Sequence, residues 1–98
     1  MYVKIIKSYR DVVAICDSDL IGKRFEEGQF QLDVKENFFK GEKIEEIKAI
    51  QIMQEMTKED ATFNIIGEKS IRAALKAGII SQRGIKKIRG IPFALVLI

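Results

Sequence analysis

Two hydrophobic periods alternate along the chain, and they lay out its elements. Val3 to Lys7 and Val12 to Cys16 are rich in β-branched residues, with Ser8-Tyr9-Arg10-Asp11 between them. That arrangement predicts an N-terminal β-hairpin. In Asp17-Ser18-Asp19, Ser18 or Asp19 is placed to cap a short helical turn through Leu20, Ile21 and Phe25. Gly22 weakens that helix by ~1 kcal/mol relative to alanine, which limits it to one turn. Glu26-Glu27-Gly28 reads as a turn. Phe30, Leu32 and Val34 then alternate with Gln29, Gln31, Asp33 and Lys35, the period of a strand with one wet face. Asn37-Phe38-Phe39-Lys40-Gly41 closes it, and its adjacent phenylalanines cannot both point the same way.

Glu42 to Met56 is the longest helical candidate, with a broad stripe of Ile44, Ile47, Ile50 or Gln51, Ile52, Met53 and Met56. Thr57, with Asp60 three residues on, reads as the opening of a further short turn. Ala61 to Ile66 is an apolar run that feeds Gly67 and a second helix. That helix sets Ile71, Ala74 and Leu75 on one face and Lys69, Arg72 and Lys76 on the other. Gly78 fits a left-handed C-terminal cap, with Ile79 or Ile80 folding back on the helix. Ser81 to Gly84 reads as a loop. Ile91 to Ile98 is an apolar strand whose Pro92 marks its start or an edge. From Phe93 onward the run is too apolar to be wet on either face, so it is expected in the core or paired with another chain. The expected fold is α+β: a single compact domain over 1–98, with a small mixed or antiparallel sheet, two to three helices, an N-terminal β-hairpin and a C-terminal apolar strand.

Composition narrows the chemistry. The chain has no histidine and no tryptophan, and one cysteine, Cys16. A histidine base, a histidine metal site and a histidine-dependent triad are excluded. Cys16 has no partner for a disulfide within the chain, which fits a reducing cytoplasm. Lys4 and Lys7 interrupt the N-terminal apolar run where a signal peptide would be uncharged. The longest apolar run, Ile91 to Ile98, falls far short of the ~18–20 residues that span a bilayer. A cytoplasmic protein without membrane insertion, metal or cofactor is expected. Abundant isoleucine, lysine and glutamate give it a thermophile-like bias.

Charge divides the chain. Residues 1–60 carry ten Lys/Arg against thirteen Asp/Glu, and residues 61–98 carry seven against one, Glu68. The second half is therefore strongly cationic and suited to polyanions. Its basic set is Lys69, Arg72, Lys76, Arg83, Lys86, Lys87 and Arg89. Such side chains on a rigid face bind phosphates with salt-dependent affinity. Poor aromatic interleaving favours backbone or shape recognition over base stacking. Two further candidates are weaker. Asn64, Gly67, Lys69 and Ser70 suggest a strand-to-helix phosphate turn, but a phosphate loop needs more glycines and Glu68 repels an anion. Cys16-Asp17-Ser18-Asp19 offers two carboxylates and a thiol, but Asp17 disfavours the thiolate and no histidine activates it.

The chain resembles the small archaeal proteins grouped as domain of unknown function 424, over nearly its whole length. The likeness rests on Val12-Val13-Ala14-Ile15-Cys16-Asp17, on Leu20-Ile21-Gly22-Lys23-Arg24-Phe25, on Ala61 to Ser70, and on Arg89-Gly90-Ile91-Pro92. The family-like positions are Cys16, Asp17, Gly22, Lys23, Asn64, Gly67, Glu68 and Pro92. Where the family commonly has a histidine after that proline, this chain has Phe93. The resemblance implies an archaeal origin and a compact α+β fold, and supplies no activity. The leading expectation is a non-enzymatic, translation-related module that engages RNA or a ribonucleoprotein. The alternatives are a small-anion enzyme or sensor near Asn64, Gly67, Lys69 and Cys16, and a homodimer paired through Phe93 to Ile98.

Overall fold

A computed structural model describes residues Met1–Leu97. The predicted hairpin forms: β1 (Tyr2–Ile6) pairs antiparallel with β2 (Val12–Cys16), Val3 opposite Ile15. After β2 the chain makes a 3-10 turn at Ser18–Leu20, then an antiparallel hairpin of β3 (Arg24–Glu27) and β4 (Phe30–Asp33). The helical turn therefore stops before Phe25, which is a strand residue opposite Leu32. The cause lies in the backbone. The Gly22 N–H donates to the Val34 carbonyl at 2.8 Å, and the Val34 N–H donates to the Lys23 carbonyl at 2.9 Å. Those bonds draw Lys23 onward into a ladder. Glu26 and Glu27 belong to β3, so the reversal falls after them rather than on them.

A four-residue helix, α1 (Glu36–Phe39), resolves the adjacent phenylalanines: Phe39 is buried and Phe38 half-buried, their rings edge to face at 5.1 Å. Next come β5 (Glu42–Lys43) and α2 (Glu46–Lys58). The long helix starts later than its stripe suggested because Glu42 and Lys43 pair with β1. Ile44 is buried ahead of the helix, and Ile47 is 73% exposed. The helix seats Ala49 and Met53 on the core and leaves the rest of its broad apolar stripe partly uncovered. Thr57 lies in the last turn of α2, and its carbonyl accepts the Asp60 N–H at 3.2 Å, so the turn it opens is the one that ends the helix.

The β6 (Thr62–Ile66), Gly67 and α3 (Glu68–Ala77) unit matches expectation. Gly78 is left-handed at φ 78°, a conformation that glycine adopts without a Cβ penalty. The N–H of Ile79 donates to the Ala74 carbonyl, so the chain folds back as a Schellman cap. A 3-10 turn at Gln82–Gly84 leads to β7 (Lys86–Ile88) and β8 (Ile91–Val96). Arg89 and Gly90 join them, both at positive φ (53° and 79°), as a two-residue hairpin turn requires.

Among the described residues six strands form one mixed sheet in the order β5-β1-β2-β6-β8-β7, with β2–β6 the parallel pair and the other neighbours antiparallel. Strand alternation gives the sheet two apolar faces. Val13, Ile15, Phe63 and Ile65 face α2 and α3, with Met53, Ile71 and Ala74 packed on them. Ala14, Cys16, Ile66 and Ile88 face the opposite way, under Leu32, Val34 and Phe39. The result is three layers: two helices, a sheet, and a cover made of the β3–β4 hairpin with α1.

The C-terminal strand forms with Pro92 at its start, as expected, but is not covered along its whole length within the chain. Leu95 and Leu97 are 58% and 74% exposed, so the run is wet along part of one face. Leu95 faces an open groove between the sheet and the cover, with Gln31 and Phe38 also lining it, and so stays partly uncovered. Pro92 sits second in β8 and pairs on both sides. An interior strand accepts it because the Gly67 carbonyl, which a residue with an N–H would have served, accepts instead from the Ile71 N–H at 2.9 Å. The Pro92 carbonyl still accepts from the Gly67 N–H at 2.8 Å.

Candidate nucleic-acid interface

Parallel pairing sets Cys16 beside Ile66, so Asp17 and Gly67 leave the sheet side by side. Asp17 turns its carboxylate onto the start of α3. The N–H groups of Lys69 and Ser70 donate to it at 3.0 and 2.8 Å, and the Ser70 hydroxyl donates at 2.8 Å. Helix N-termini expose unpaired N–H groups and a positive dipole end, both of which a carboxylate satisfies. Here the carboxylate comes from a residue 52 positions upstream of Lys69. Gly67 makes room for it. It stands at φ 110°, and a Cβ there would lie 2.3 Å from the Asp17 carboxyl carbon.

This lock fills the anion-binding end of α3 from within. The predicted phosphate turn is corrected in one further respect: Asn64 and Lys69 do not share a site. Asn64 has the strand parity of Ile66 and lines a groove with Gln31, Phe38 and Leu95 on the face away from the helices. A cleft of about 480 Å³ does open beside the lock, where Asp17, Asp19 and Glu68 outnumber Lys69. The Ser18 hydroxyl oxygen is buried and has no hydrogen-bond partner among the described residues. Asp17 is committed to α3 and cannot chelate a cation with Asp19. The Cys16 thiol is buried against the cover. Burial, followed by the Asp17 charge, pushes its pKa up to about 11. A thiol so raised is a packing group, not a nucleophile.

Of the remaining family-like positions, Asp17, Gly67, Glu68 and Pro92 meet at this end of the sheet. Gly22 and Lys23 lie on the path into β3. In the sequence the lock shows only as a glycine at the N-cap of α3, which supplies no capping side chain of its own.

The seven basic residues do not form one face. Arg72 and Lys76 both reach Glu46 of α2, at 3.1 and 2.8 Å, and staple the two helices together. Hydrogen bonds from Lys76 first, and then Arg72, hold the Glu46 carboxyl below its ordinary range. Lys69 is exposed on the first turn of α3. Arg83, Lys86, Lys87 and Arg89 follow one another along the β7 edge of the sheet, all exposed. None of these four has an ion-pair partner among the described residues.

Beside that edge stands Phe30, 69% exposed, which sequence reasoning left out of the site. It shares a face with Leu32 and, across the hairpin, with Glu27. Leu32 reaches the core, whereas Phe30 at the tip overhangs β7. Phe30, Glu27, Lys86, Lys87, Ile88 and Phe93 line a shallow pocket of about 270 Å³. The Glu27 carboxylate accepts the Arg89 N–H at 2.7 Å, which ties the cover to the β7–β8 turn. Phe93 forms part of the half-buried floor.

Comparison with known proteins agrees with the architecture. An uncharacterized conserved protein from the archaeon Methanopyrus kandleri, known from its crystal structure, superposes with a TM-score of 0.87 at 24% identity. The match covers 97% of this chain and 88% of that one, and shows a shared fold. No curated protein matches. No helix among the described residues is long and apolar enough to cross a membrane. The model of a protein family of unknown function, DUF424, matches residues 6–98. The chain therefore belongs to the DUF424 family.

Proposed function

We propose that this protein is a non-enzymatic, translation-related binding module that engages RNA or a ribonucleoprotein through its basic second half. The supporting observation is the β7 edge, where Arg83, Lys86, Lys87 and Arg89 stand exposed without acidic ion-pair partners among the described residues. Arg72 and Lys76, by contrast, are engaged with Glu46. Unpaired cations on a strand are positioned to displace counterions from phosphates. Fluorescence anisotropy with a structured RNA at two salt concentrations tests the reading. The double variant Lys86→Glu, Lys87→Glu should abolish most binding, while neutralising the same two positions with glutamine should flatten the log–log salt slope by about 1.5. No binding at low salt, or binding indifferent to the charge reversal, ends this reading.

One observation favours a second reading, homodimerisation. β7 covers β8 only as far as Phe93, so the β7-side backbone groups of Leu95 are unpaired among the described residues. Exposed apolar edges invite pairing with another strand. In a dimer built on that edge, Leu95→Lys lowers the mass in solution to that of one chain. A monomeric mass for the unaltered protein removes this reading.

A further inference from the structure

We infer that the pocket under the β3–β4 hairpin takes a single unpaired nucleobase, stacked on Phe30, with its phosphates on Lys86 and Lys87. The inference rests on the RNA-binding reading and specifies the form of RNA bound: single strands and loops rather than duplex. Three observations carry it. The first is Phe30 itself, 69% exposed at a hairpin tip where it contributes little to the core. A free aromatic face beside cations is what single-strand binding surfaces use, because every base has a face to stack.

The second is the charge around the ring. Lys86 lies opposite Phe93 in the β7–β8 ladder and so shares the face toward which the hairpin folds, and Lys87 lines the same pocket from the edge. Neither lysine is ion-paired among the described residues. Glu27 accepts the Arg89 N–H at 2.7 Å, and the lining sets two lysines against that one acid. The pocket is therefore electropositive at its rim.

The third is shape. The floor of Ile88 and Phe93 is apolar, and the volume of about 270 Å³ suits one flat ring system rather than a duplex groove. A stacked pair of bases in a helix cannot present a face to Phe30, so an unpaired base is the form that fits.

The chain has no tryptophan, so Phe30→Trp installs a single reporter in the proposed contact. The full-length protein is titrated with a 12-nucleotide uridine–adenosine RNA as single strand, with the same strand in a duplex, and with inorganic polyphosphate. Stacking predicts saturable quenching of the introduced indole's fluorescence by the single strand alone. It also predicts a loss of about 5- to 100-fold in single-strand affinity for Phe30→Ala, with duplex and polyphosphate binding unchanged. Circular dichroism melting verifies that the exposed substitution leaves the fold intact. If Phe30→Ala binds the single strand like the unaltered protein while Lys86→Glu with Lys87→Glu does not, stacking is overturned and the RNA-binding reading stands. If none of the three ligands binds, both fall. Quenching that grows with protein concentration in the absence of RNA would instead assign the pocket to a second copy of the chain and overturn the inference.

Discussion

The two ends of the central sheet treat their polar groups in opposite ways. At the end where β2 and β6 finish, Asp17, Ser70 and the first amides of α3 satisfy one another. At the β7 edge, Lys86 and Lys87 stand without acidic partners among the described residues, beside the exposed Phe30. The first region has the motif-like sequence, with a strand, a glycine, a lysine and a serine. The second has only a run of charge. A motif of binding-type residues whose partners lie inside the protein is structure. Charge that finds no internal partner is what remains for another molecule.

Substitutions at four positions press on this contrast. The largest effect is expected for Gly67→Ala. A Cβ there meets the Asp17 carboxylate at 2.3–2.6 Å, and the backbone is held at φ 110°. A loss of at least about 4 kcal/mol in urea unfolding is expected, since clash and strain act together. Asp17→Ala is next. It removes a buried cap and orphans the buried Ser70 hydroxyl, at a cost of about 2–4 kcal/mol. In a domain of this size that lowers the melting temperature by about 10–30 °C, readable by calorimetry. Asp17→Asn keeps one acceptor oxygen and should lose less. If Asp17→Ala melted like the unaltered protein, the closed end would not be the structural lock described above.

At the open end the expected sign reverses. Arg89 holds φ 53° in a two-residue hairpin turn, a conformation asparagine adopts more readily. Arg89→Asn should stabilise by about 0.5–1 kcal/mol in the same unfolding assay. The smallest effect belongs to Glu46, which joins α2 to α3 at the surface. Its folded carboxyl lies below the ordinary range. The stability it contributes is therefore present above the unfolded value of about 4.3 and lost as pH falls through the lower folded one. Glu46→Gln should lower the melting temperature slightly at pH 7 and flatten its fall between pH 5 and pH 3. High salt should shrink the difference.

Local signals carried much of the fold. The hairpin of β1 and β2, the β6-Gly67-α3 unit and the Gly78 cap are all written in neighbouring residues. What escaped is decided by pairing between distant segments. Glu42 and Lys43 look helical until β1 claims their backbone, and Phe25 looks helical until Val34 and Lys23 bond across it. Ile47 and Leu95 look buried because their neighbours are, yet the neighbouring layers leave them exposed. The candidate site divides the same way. Lys86 and Lys87 were visible as charge, but Phe30 joins them only because a hairpin folds back over the sheet. Arg72 and Lys76 belonged to the same cationic run until Glu46 met them across two helices.

The Asp17 lock also bears on the order of folding. Its donor and acceptor sides are separated by 52 and 53 residues. No local loop closure makes these bonds. They form once β2, β6 and α3 have assembled, and they open when that assembly opens. The amide protons of Lys69 and Ser70, though they lie in the first turn of a helix where exchange with solvent is normally quick, should therefore be among the slowest in the molecule. Two resonances would then record how often the whole chain comes apart.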